Sequence, residues 1–79
     1  MDIESKILDV ISVMAKAPRP DLNSDTSMDS VSTWDSLAHL NIIIALEEEF
    51  DIELDEAEAM DLSSVPLLVI AVAEKVALT

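Results

Sequence analysis

A chain of 79 residues forms one domain and no more, since domains run from about 50 to 200 residues. It contains no Gly and no Cys, which excludes Gly-rich phosphate loops, dinucleotide-binding turns, disulfides, thiolate metal sites and a thiol nucleophile of its own. Four basic against 17 acidic residues, a net charge of −13, argue against nucleic acid or an anionic membrane as partner and in favour of basic proteins.

The first helix is predicted over Ile3–Ala15, where Ile3, Ile7, Val10, Ile11, Met14 and Ala15 recur at helical spacing. Asp2 and Glu4 suit its first turn and Lys16 its end, and Pro18 and Pro20 stop it. Ala17–Trp34 reads as a loop rich in Ser, Thr, Asn, Asp and Pro. It exceeds the roughly 12–15 residues of an ordinary structureless connection, so it is expected to carry function or a short helical turn, pinned by Leu22, Met28, Val31 and Trp34. The second helix opens at Asp35-Ser36, both good capping residues, and runs to about Phe50. Asp51–Leu54 is a connector, and Asp55 is placed to cap a short third helix over Glu56–Asp61. Ser63 or Ser64 then caps a last helix through about Ala77, with Pro66 tolerated in its first turn. There is no strand pattern and no repeat. The fold class is therefore all-α: one domain over residues 1–79, built as a small bundle of three main helices plus one short helix, with a long loop between the first and second.

The charge is unevenly placed. Residues 1–19 hold Asp2, Glu4 and Asp9 against Lys6, Lys16 and Arg19, and Glu74 cancels Lys75, so the whole −13 lies between Pro20 and Ala73. A polar, charged start shows no signal peptide. The apolar run Val65–Ala73, nine residues, falls far short of the roughly 20 that span a bilayer. The expectation is a cytoplasmic monomer without a membrane span.

The second helix carries two apolar faces when its residues are set at about 100° each. Ile42, Ile43, Leu46 and Phe50 form one, with His39 among them. Leu37 and Ile44 lie opposite, with Leu40 at the edge and Asn41, Glu47 and Glu48 as frame. One face serves the core, and the second has the pattern of a docking surface, apolar anchors inside an acidic rim. Glu47, Glu48 and Glu49 also occupy the last turn, where the macrodipole disfavours acids by about 0.3–1 kcal/mol each. The plain reading of any one Glu is a solvated helix former. For Glu47 and Glu48 beside Ile44, docking is the better account.

Trp34-Asp35-Ser36-Leu37-Ala38-His39-Leu40, the Glu47-Glu48-Glu49-Phe50 close of the same helix and Ile52-Glu53-Leu54 after it together resemble the acyl carrier protein family. The likeness extends over nearly the whole chain in length, acidity and the long first loop. A lone Asp-Ser-Leu is common by chance; at the head of an acidic helix after such a loop it is specific. The resemblance implies that Ser36, within the motif Asp35-Ser36-Leu37, bears 4′-phosphopantetheine, whose thiol would carry an acyl or aminoacyl group as a thioester in a chain that has no thiol of its own. It implies a phosphopantetheinyl transferase as modifying enzyme, because no neighbouring base activates Ser36. It also implies loading ligases or synthases and acyl-transfer enzymes with basic docking surfaces. The chain itself is then no enzyme. Taken alone, Ser36 would be a first-turn serine and Trp34 a buried anchor. His39 alone would be a hydrogen-bonded, partly buried side chain.

Departures from the family pattern concern the surroundings of Ser36. Thr33 stands where the pattern has Gly, Ala38 where it has an acid and Asn41 where Glu is common, which resembles specialised stand-alone carriers more than the housekeeping one of fatty-acid synthesis. The resemblance further implies an acyl pocket lined by His39, Ile43, Leu46, Leu54, Leu62 and Leu68, with His39 near its mouth. Because Leu68 fills a position where the family tolerates a small residue, a short or polar cargo is expected. Other readings are weaker. A Ser36–His39 hydrolase has no Gly elbow or oxyanion loop. A calcium loop from Asp51 lacks the Gly at its sixth position and the Glu at its twelfth, where Glu56 and Leu62 stand, so no specific metal site is expected. The alternative that keeps most of the features is an unmodified acidic helical adaptor binding a basic protein through Leu37, Ile44 and Glu48.

Overall fold

The structure, a computed structural model, describes residues 2–78; residues 1 and 79, the ends of the expected domain, lie outside the described residues. Among the described residues four α-helices follow in order: α1 Ile3–Met14, α2 Ser36–Phe50, α3 Glu56–Met60 and α4 Val65–Leu78. Among the described residues there is no strand. α1 packs against both α2 and α4, and α2 against α3.

α1 forms where expected. The Asp2 carboxylate caps it by accepting from the Glu4 N–H, and Ile7, Leu8 and Ile11 are buried. Met14, predicted on the core face, lies instead at the edge and is 36% exposed, because the helix ends beneath it. The chain leaves α1 through Lys16 in the left-handed region, φ 54°. The Ala17 N–H then reaches back to the Ser12 carbonyl at 3.1 Å, the bond that closes a Schellman turn. α2 ends in the same way at Asp51, φ 53°, with the Ile52 N–H on the Glu47 carbonyl at 3.0 Å. Such turns favour Gly, which this chain lacks.

The long loop holds two short 3₁₀ turns, Arg19–Asp21 and Met28–Ser30. Leu22 and Trp34 are buried, and Met28 and Val31 pack half-buried on the core. Its path is fixed by polar contacts that periodicity does not reveal. Thr26, buried, accepts from the Asn23 N–H through its hydroxyl at 2.8 Å. Its carbonyl accepts from the Val65 N–H at 2.9 Å, and the Met28 N–H reaches the Ser63 carbonyl at 2.8 Å. The loop is thus tied to the α3–α4 junction.

α3 is one residue shorter than expected and ends at Met60, with Asp61 as C-cap. Asp55 occupies its N-cap position but makes no side-chain cap hydrogen bond, a correction to the capping role read from the sequence: the backbone carbonyl of Asp55, not its carboxylate, takes the Ala59 N–H. Ser64 precedes α4, its hydroxyl 3.4 Å from the Leu67 N–H. Val65, Leu68, Ala71 and Val72 turn inward from α4. They meet Ile7, Ile11, Ile42 and Leu46 in one apolar cluster.

Candidate functional site

The head of α2 is built by three consecutive residues with different tasks. Trp34 is almost wholly buried, 2% exposed, and anchors the end of the loop. Asp35 is the N-cap, and its carboxylate accepts from the Ala38 N–H at 2.9 Å. Ser36 is the first helical residue and is exposed. Its place follows from its neighbours: with Asp35 satisfying one orphan donor of the helix start, the Ser36 hydroxyl is not needed as a cap and points to solvent free of intramolecular bonds among the described residues. A phosphodiester on that oxygen would lie at the positive end of α2, where unpaired backbone N–H groups favour an anion. The residues present therefore fit such a group.

His39 sits behind this surface. The Trp34 Nε1–H donates to His39 Nδ1 at 3.1 Å, and His39 Nε2 lies 2.8 Å from the Ala59 carbonyl oxygen. These two contacts require the neutral ring with its proton on Nε2. The rings of Trp34 and His39 also stack, with centroids 5.9 Å apart. With both nitrogens engaged and 1% exposure, His39 does not stand at the mouth of a pocket, contrary to the sequence expectation; it is a polar link inside the core. The other residues expected to line an acyl pocket, Ile43, Leu46, Leu54, Leu62 and Leu68, are all buried members of the same core cluster. The structure brings them together as packed interior.

The outer face of α2 presents Leu37 at 68%, Leu40 at 47% and Ile44 at 46% exposure, beside exposed Asn41 and Glu48. The three glutamates of its last turn differ. Glu49 pairs with Lys6 of α1. Glu47 is half-buried, and its carboxylate accepts from the Leu54 N–H at 2.8 Å, so it also holds the connector. Glu48 makes no such contact among the described residues and is the acid exposed on the outer face. The unfavourable charges at the end of α2 are thus largely explained by structure.

Sequence reasoning left two features of this region aside. Val13 of α1 is 70% exposed and lies with Met14, Ala45 and Glu48 along a depression between α1 and α2. A second depression, lined by Met14, Lys16, Thr33, Asp35, Leu37 and Asn41 among others, adjoins Ser36. The exposed apolar end of α1 was concealed by its helical periodicity, and the signal that could have found it is the approach of two prolines that ends the helix. No helix among the described residues is long and apolar enough to cross a membrane, and they contain no cluster of three or more His or acidic side chains able to hold a metal ion.

Residues 5–72 match the family model described as the phosphopantetheine attachment site. The match takes in the head of α2, its outer face and the core beneath it. The chain belongs to that family, whose members are carriers rather than catalysts and are defined by covalently attached 4′-phosphopantetheine.

Proposed function

We propose that residues 1–79 act as one acyl carrier domain in which Ser36 is the attachment residue. The prosthetic thiol supplies the sulfur for a thioester with an acyl or aminoacyl group. The observation that carries this reading is the exposed, unbonded Ser36 hydroxyl directly after a capping Asp35 whose own carboxylate is occupied. Asp35 shapes the helix start, and Leu37 begins the outer face. Incubation with coenzyme A and a broad-specificity phosphopantetheinyl transferase, followed by intact-protein mass spectrometry, tests it. A phosphopantetheine increment that is lost in Ser36→Ala is expected, and an unmodified wild type would leave the chain as an acidic adaptor.

Partner enzymes dock on Leu37, Ile44 and Glu48, the exposed stripe that leads away from Ser36. Glu47 assists by fixing the end of α2. A partner surface with apolar hollows and basic residues fits this stripe. The cargo is short or polar, because Ile43, Leu46, Leu54, Leu62 and Leu68 are packed closed and dense interiors take added methylenes poorly. The chain works as a cytoplasmic monomer in a specialised pathway, as the thinned acidity around Ser36 (Ala38 and Asn41) supports.

A further inference from the structure

Three cations stand in the first 19 residues, and two are used: Lys6 pairs with Glu49 and Arg19 with Asp9. Lys16 makes no ion pair among the described residues. It also occupies a costly conformation. Its φ of 54° is one that side chains with a Cβ adopt at roughly 1–2 kcal/mol, with Asn, Asp and Gly as the usual occupants. The left-handed turn directs the chain so that Lys16 lines the cleft between the end of α1 and the head of α2. There it joins Met14, Thr33, Asp35, Leu37 and Asn41. Ser36 lies between two of these wall residues. Asp35, the acid of the cleft, is already committed to the Ala38 N–H. A cation without an ion pair among the described residues, in a domain of net charge −13, therefore lines a cleft whose wall includes both sequence neighbours of the serine that would acquire an anionic group.

We propose that this cleft is the resting site of the proximal prosthetic arm: the Lys16 ammonium pairs with the phosphodiester on Ser36, and the pantetheine chain lies against Met14 and Asn41 on the α1–α2 side. The proposal rests on Ser36 being the attachment residue and adds where the arm goes. The opposite course, inward between α2 and α4, is barred by the packed ring pair of Trp34 and His39 and by fully buried Leu46 and Leu68. The cleft wall offers what an amide-containing arm requires, an apolar thioether in Met14 and a side-chain amide in Asn41. Partners docked on Leu37 and Ile44 would meet the arm already lying at the edge of their contact surface.

The test compares apo and holo protein by amide chemical shifts and phosphorus NMR, for wild type, Lys16→Gly and Lys16→Arg. Gly suits the left-handed turn, so loss of folding does not confound the result. Mass spectrometry first establishes the increment on each protein. Its absence in wild type refutes the Ser36 reading and the proposal with it. With the increment present, the proposal expects shifts at Met14, Lys16, Thr33 and Asn41 on conversion to holo protein. These should be lost in Lys16→Gly, kept in Lys16→Arg, and reduced at about 1 M salt, where the screening length falls to roughly 3 Å. The phosphorus resonance should move with the same pattern. Shifts confined to Asp35–Ala38, or running instead to Leu46 and Leu68, overturn the cleft assignment while leaving attachment at Ser36 intact.

Discussion

Replacing His39 by Leu tests whether the Trp34–His39–Ala59 link supports the core as the geometry indicates. Leu roughly conserves the volume and leaves the Trp34 Nε1–H buried without an acceptor, since Trp34 is 2% exposed. The Ala59 carbonyl is not orphaned, because it keeps the Leu62 N–H at 3.1 Å. One unsatisfied buried donor costs about 1–3 kcal/mol. For a domain of this size each kcal/mol moves Tm by about 4–8 °C, so Tm should fall by roughly 5–20 °C. Trp34→Phe is the mirror case: it leaves His39 Nδ1 without a donor, at a similar cost of about 1–3 kcal/mol, and loses part of the indole contact besides. The double variant leaves neither group unpaired. Its destabilisation should fall short of the sum of the singles by about 1–3 kcal/mol. Urea titrations of the four proteins followed by far-UV circular dichroism measure the cycle. Trp34, the only Trp, gives an independent fluorescence probe in the two proteins that retain it. Additivity within about 0.5 kcal/mol would falsify the coupled link and reduce His39 to a space-filling ring.

The outer face of α2 should be separable from the fold: Leu37→Ala, Ile44→Ala and Glu48→Lys should weaken partner binding by about 1–4 kcal/mol with Tm near wild type, and unfolding of Ile44→Ala would show that this face serves the core. Glu47→Ala should behave differently, lowering Tm with little loss of binding, because it removes the oxygen that accepts the Leu54 N–H; thermal melts beside a binding assay separate the two glutamates. Stability should rise with salt, and more steeply with Mg²⁺, because 13 acids and no Lys or Arg lie between Pro20 and Ala73, of which Glu49 alone has an ion pair among the described residues, and about 0.15 M salt limits repulsion to roughly 8 Å; a Tm indifferent to both would refute the electrostatic account. Asp51→Gly should stabilise by about 0.5–1 kcal/mol, since it relieves a left-handed residue with a Cβ and removes an acid from the end of α2; a lower Tm would mean that the Asp51 side chain makes a contribution of its own.

The helices were legible because their signals are local. Pro18 and Pro20 bound α1, Asp35-Ser36 open α2, and the two stripes of α2 separate at helical spacing into buried Ile42, Ile43 and Leu46 and exposed Leu37 and Ile44. The path of the loop was not legible, since it depends on the Thr26 and Met28 backbone meeting Ser63 and Val65. No pattern of hydropathy encodes a pairing across that separation. The glutamates show the same limit on a smaller scale. Three adjacent acids at the end of a helix look alike in sequence, and only the return of the chain at Leu54 and the position of Lys6 give each a separate task. Helical spacing puts His39 on the inward face, but its hydrogen-bond partners come from Trp34 before α2 and Ala59 after it, which spacing does not reveal.

That last contact joins the site to the rest of the fold. α3 has five residues, too few to persist as an isolated helix, for which about 12–15 residues are marginal in water; it is held from outside, in part by His39 on the Ala59 carbonyl. The same ring holds Trp34, and Trp34 directly precedes the capping Asp35 and exposed Ser36. The loop end, the head of α2 and the end of α3 are therefore tied through one imidazole. A displacement of α3 must either break the Nε2–carbonyl bond or move His39, and through it the indole that fixes the entry to α2. The outer side of α2 carries none of this connection: among the described residues, the side chains of Leu37, Ile44 and Glu48 make no hydrogen bond or ion pair. A substitution on the outer face should therefore leave the helix start, and the serine upon it, in position, because the contacts that hold them come from the inner face.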